Sequence, residues 1–145
     1  MIVIDNISVR AGSFTLSSIS FEIEKGECLA LMGKSGSGKT TVMEAICGLR
    51  DVISGCINID GEERTYAAPR DRMVGLVPQD NVLFPTMTVC EHLAYGPRLR
   101  KWKKPEINSR TEEVAAELGI TGLLNRLPRG LSGGEAKRVA IGRAI

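Results

Sequence analysis

Residues 33–41 read GKSGSGKTT, and their reading decides the fold. Gly33, Lys34, Ser35, Gly36, Ser37, Gly38, Lys39 and Thr40 satisfy the pattern G-x-x-x-x-G-K-[ST] without a mismatch. Just upstream, residues 28–32 form a continuous apolar run, as expected of a strand buried on both faces of a parallel sheet. Just downstream, Val42, Ala45, Ile46 and Leu49 fall on one face of a helix predicted over residues 40–49. Strand, glycine loop and helix is the setting in which this motif cradles phosphate. The glycines let successive backbone N–H groups converge on anionic oxygens, and the helix adds its positive end. In such a cradle Lys39 supplies a point charge to the β- and γ-phosphates, the Thr40 hydroxyl ligates Mg²⁺, and Thr41 neighbours the α-phosphate. Kinases, GTPases, helicases and transport ATPases all use this loop, so a further motif must separate them.

On either side of the loop the chain reads as α/β. Ile2, Val3 and Ile4, then Phe14, Leu16, Ile19, Phe21 and Ile23, predict strand, turn, strand. Strands are also predicted over residues 56–59, closed by Asp60-Gly61, and over residues 73–77, closed by Pro78. Beyond Pro78 the apolar spacing becomes helical over residues 88–99 and 106–118, with Pro97, Pro105 and Gly119 marking ends. An α-rich insert is therefore expected after an α/β core. Its basic run RLRKWKK, residues 98–104, is read as a solvated face.

The 145 residues suit one compact domain, at 43% hydrophobic and 25% charged. A net charge of +2 provides no field that would recruit nucleic acid, and no nucleic-acid partner is expected. No apolar run approaches a membrane span, and the first residues lack the basic start of a signal peptide, so a cytoplasmic location is expected. Cys28, Cys47, Cys56 and Cys90 are scattered around a lone histidine, which suggests buried reduced thiols instead of zinc or disulfides.

The separating motif is LSGGEAKRVA, residues 131–140. Ser132 is placed to cap a helix running to Ala144, with Glu135 completing a capping box. Gly133 and Gly134 in its first turn cost about 1 kcal/mol each relative to alanine, which suggests close approach of an anion. In order after the phosphate loop, the stretch from Leu131 to Ala144 resembles the signature motif of ATP-binding cassette (ABC) ATPases, whose phosphate loop is the Walker A motif. Val77-Pro78-Gln79 resembles the family's Q-loop, and LFPTMTV, residues 83–89, resembles the segment that opens its helical subdomain. These features together exclude the kinase and GTPase readings.

The resemblance covers all 145 residues and implies the fold of a P-loop ABC cassette, seen in its N-terminal part. It implies a parallel core sheet with an antiparallel β edge and a helical insert, divided into a core at 1–79 and a helical subdomain at 80–145. It implies ATP and Mg²⁺ as ligands, with Gln79 sensing the γ-phosphate and Mg²⁺. Two cassettes would pair head to tail, so that Leu131, Ser132, Gly133, Gly134 and Glu135 of one close on ATP held by the other. Transmembrane permease subunits would be the further partners, holding the chain at the cytoplasmic face of the membrane. LFPTMTV and RLPRGLSGGE resemble importer ATPases of the molybdate, sulfate, iron, polyamine and sugar group.

Some positions depart from the family pattern. The aromatic that usually stacks on adenine would fall near Ala11, and Phe14 offers the nearest ring, although its alternation with Leu16 reads as a buried strand residue. His92 precedes the signature motif, unlike the family's switch histidine, and is expected on a solvated helix face. The Walker B aspartate, the catalytic glutamate and the switch histidine find no match before Ile145, so binding is expected of these residues more than hydrolysis. The parent is expected to be a longer ATPase. The alternative is a nucleotide-binding regulatory module that does not hydrolyse ATP.

Overall fold

A computed structural model describes residues 1–80 and 82–145, which form two compact units, Met1–Val74 and Gly75–Ile145. In the first unit β1 (Ile2–Ala11), β2 (Phe14–Ile23), β3 (Val52–Ile59) and β4 (Glu62–Glu63) make one antiparallel sheet in the order β2-β1-β3-β4. Helix α1 (Lys39–Ile46) is the only helix longer than one turn in this unit among the described residues.

The apolar spacing of the first two strands is not a plain alternation. Ile4 and Ile7 are three apart, as are Leu16 and Ile19, yet they pair across the sheet as Ile4 with Phe21, Ile7 with Ile19 and Val9 with Leu16. The register shifts at those places, where Asn6 (φ 48°) and Ser18 (φ 56°) take left-handed backbone. A bulge adds one residue and so restores the apolar set to one face. Ile4, Ile7 and Val9 of β1, Val52, Ile57 and Ile59 of β3, and Val42, Ala45 and Ile46 of α1 then form a single core. Arg72, itself buried, holds the C-terminal end of α1: its guanidinium donates to the carbonyls of Ala45 (2.7 Å), Ile46 (3.1 Å), Ala67 (2.9 Å) and Thr65 (2.7 Å). A cation there satisfies carbonyls that the helix leaves unpaired.

Two expected strands are absent. Residues 28–32 and 73–77 carry no ladder, and Leu29, Met32 and Met73 are exposed. A strand meant for burial on both faces needs neighbours at its edges, and no described strand pairs with either stretch. For the same reason Cys28 is exposed, and of the four cysteines only Cys47 is buried as expected, where burial raises its thiol pKa. Phe14, expected to be buried, is 49% exposed at the first position of β2, beside the turn.

The second unit is helical: α2 (Val89–Leu93), α3 (Tyr95–Leu99), α4 (Lys104–Glu117) and α5 (Gly133–Ala144). The single helix predicted over residues 88–99 divides at Ala94, because Pro97 has no N–H to offer the Leu93 carbonyl. Val89, Leu93, Val114, Ala115, Ile120 and Val139 form the core of this unit. Gly142 of α5 allows the close packing: a Cβ there would stand 2.9 Å from Leu118 Cδ1 and 3.1 Å from Val114 Cγ1. His92, expected in solvent, is instead fully buried, because its ring nitrogens find backbone partners inside the unit.

Candidate functional site

The loop at residues 33–38 turns back on itself through left-handed glycines, Gly36 at φ 80° and Gly38 at φ 89°, and the Ser37 N–H donates to the Lys34 carbonyl at 3.2 Å. Lys39 closes it. Its ammonium donates to the carbonyls of Gly33 and Lys34, both at 2.9 Å, and lies 3.4 Å from Ser37 Oγ. Leu16 of β2 lies against Gly38, where a Cβ would meet its Cδ1 at 2.5 Å. The strand thus sets the height at which the loop enters the helix.

Helix N-termini in the two units differ in how their first amides are satisfied. In α2, the N–H groups of Val89 and Cys90 donate to the carbonyls of Arg126 and Leu124, each at 2.9 Å, and Thr88 with Glu91 forms a capping box. In α5 the box is Ser132 with Glu135. No side chain caps α1, whose N-cap is Gly38. Its first N–H groups, the Lys39 ammonium and the exposed Thr40 hydroxyl form a donor set suited to phosphate oxygens, with one hard oxygen for Mg²⁺. Thr41 is buried. The residues present therefore fit a bound Mg²⁺-nucleotide.

In the second unit residues 131–135, expected from the sequence to form a signature motif, lie at the start of α5. Ser132 Oγ accepts from the Glu135 N–H (3.3 Å) and donates to its carboxylate (2.7 Å), which also accepts from the Ser132 N–H (2.7 Å). These bonds hold the Glu135 carboxyl below the usual carboxylate range. The capping box accounts for Ser132 and Glu135 without any ligand. Gly133 and Gly134 are different, since a Cβ on either would meet no atom within 4 Å. Packing does not require glycine at these two positions. Gln79 is exposed, and the carbonyl of its neighbour Pro78 accepts from Lys137 Nζ of α5 at 3.3 Å.

Sequence reasoning missed His92 and Arg143, which hold the segment ahead of α2. The apolar residues around His92 were the available signal, since a histidine between Val89 and Leu93 on a short helix is flanked by core positions. No described helix is long and apolar enough to cross a membrane.

Comparison with known proteins agrees with the geometry. The family described as ABC transporter matches residues 16–145. The molybdate/tungstate import ATP-binding protein of Thermococcus kodakarensis is 41% identical over 145 residues, covering 100% of this chain and 44% of that protein. The trehalose/maltose import ATP-binding protein of Thermococcus litoralis is 45% identical over 133 residues, covering 88% of this chain and 36% of that protein. Among solved structures, a dimeric ATP-binding cassette in a post-hydrolysis state, bound to ADP and Pi, superposes with a TM-score of 0.82 at 28% identity, covering 100% of this chain and 69% of that one. The chain spans less than half the length of these two importer relatives.

Proposed function

Because the chain belongs to the ABC transporter family, matched over residues 16–145, we propose that it is the ATP-binding part of an importer, coupling ATP binding and hydrolysis to solute uptake. The observation that carries this reading is the cradle: a helix with no side-chain cap, entered through left-handed Gly38, with the Lys39 ammonium held inside the loop. Lys39 neutralises the β- and γ-phosphates, the first amides of α1 bind their oxygens, and Thr40 holds Mg²⁺. Mg²⁺ held there by Thr40 would supply charge neutralisation at the phosphates. Thr41 steadies the α-phosphate side, and the half-exposed Phe14 ring offers a stacking surface for the base. Gln79 acts as the sensor of γ-phosphate and Mg²⁺.

Residues 131–135 serve a second cassette in a head-to-tail pair, and permease subunits place the assembly at the cytoplasmic face of the membrane. The import-type relatives support this assignment. The test is calorimetric titration of Mg²⁺-ATP into the wild type and Lys39→Ala. Loss of one charged hydrogen-bonding group is expected to weaken binding by about 1.5–3 kcal/mol. Equal affinity, with circular dichroism showing the variant folded, would refute the cradle assignment.

A further inference from the structure

His92 lies outside the proposed phosphate chemistry, yet both of its ring nitrogens are engaged inside the second unit. It is 0% exposed, its Nε2 lies 2.9 Å from the Phe84 backbone nitrogen, and its Nδ1 lies 2.9 Å from the Thr88 carbonyl oxygen. An amide N–H only donates, so Nε2 must present its lone pair. The ring proton is therefore on Nδ1, donated to Thr88, and the imidazole is neutral. The Phe84 ring stacks on the imidazole, with centroids 5.8 Å apart and planes at 16°, and tilts against Tyr95 at 5.4 Å. Arg143 of α5 lies 5.4 Å from the centroid of the Phe84 ring and donates to the Val82 carbonyl at 2.7 Å.

We propose that His92 is a proton-operated latch that pins the segment at residues 82–86 when neutral and releases it when protonated. Taking up one proton from solvent puts an N–H on Nε2 opposite the Phe84 N–H. Donor then faces donor, the bond is lost, and an unpaired buried charge remains. The charged groups around the ring are Arg143 from α5 and Glu91 on its own helix, while α3 contributes Tyr95 and residues 82–88 carry no charged side chain. Burial first, and Arg143 second, disfavour the imidazolium, against the Thr88 carbonyl and Glu91, and hold His92 below its ordinary 6.5. The stability due to the neutral ring is therefore complete above 6.5 and falls as pH drops from there through the folded pKa. What changes on release is the exposed face formed by Val82, Phe84, Pro85 and Thr86.

The chain has one histidine, so its ring signals in an NMR titration are unambiguous. The expected result is a His92 midpoint below 6.5, an Nδ1-protonated neutral tautomer, and a Phe84 amide that moves with the same midpoint. His92→Gln, whose carboxamide accepts without titrating, should make the Phe84 amide insensitive to pH. Arg143→Gln should raise the midpoint by removing the like charge. A midpoint at or above 6.5, the other tautomer, or a Phe84 amide indifferent to the titration would overturn the proposal. The wild-type titration decides this even where a variant fails to fold.

Discussion

Leu16 lies directly against Gly38, so closely that a methyl group at position 38 would stand 2.5 Å from Leu16 Cδ1 and 2.7 Å from Cδ2. One side chain of the antiparallel sheet therefore dictates the residue type at the end of the phosphate loop. Gly38→Ala meets two obstacles, the clash and a backbone φ of 89°. Left-handed backbone costs a residue with a Cβ about 1–2 kcal/mol, and overpacking adds about 1–3 kcal/mol. The variant should melt earlier and lose nucleotide affinity. Adding Leu16→Ala should recover only the steric part, because φ is unchanged. Full recovery in thermal denaturation would show that the backbone conformation contributes nothing.

Gly134→Ala separates packing from ligand binding. Since nothing lies within 4 Å of the added methyl group, the substitution should leave the fold intact and stabilise α5 by about 0.4–1 kcal/mol. Under the proposed pairing it should at the same time impair ATP-dependent dimerisation, measured by light scattering. Unchanged dimerisation would remove Gly134 from the interface.

Ser132→Ala removes the cap of α5, and loss of an N-cap hydroxyl typically costs about 1 kcal/mol. The Glu135 carboxyl is held below its ordinary value by Ser132, so its contribution is present above the unfolded carboxylate pKa and fades as pH falls through the folded one. The acid sensitivity of the unit should therefore be smaller in Ser132→Ala than in the wild type. Denaturant melts at neutral and acid pH measure this, and identical pH dependence would show that the Ser132 hydroxyl does not act on Glu135, whose larger partner, the backbone N–H of residue 132, remains in the variant.

Hydrolysis tests the finer part of the functional reading. Residues 1–145 are expected to bind Mg²⁺-ATP and turn it over near background. Lys39-dependent hydrolysis by the 145-residue polypeptide alone would place the catalytic group within it.

The loop and the signature helix were legible because both are local. Backbone direction at residues 33–40 follows from glycine spacing, and a capping box needs only Ser132 and Glu135 three residues apart. Helices α4 and α5 were legible for the same reason, being set by periodicity and by their end residues. Other features depend on partners distant in sequence. Residues 28–32 have the composition of a buried strand, but a strand exists only where a neighbour accepts its hydrogen bonds, and none of the described strands does so. His92 reads as a polar helix residue until the Phe84 amide and the Thr88 carbonyl engage its nitrogens and the Phe84 ring, itself beneath Arg143, covers its face, which makes burial possible. The sequence by itself determined the backbone course of the loop proposed to cradle phosphate, through short-range geometry. Only tertiary packing decided which apolar runs pair and which polar side chains are buried, because those outcomes depend on contacts between residues far apart in the chain.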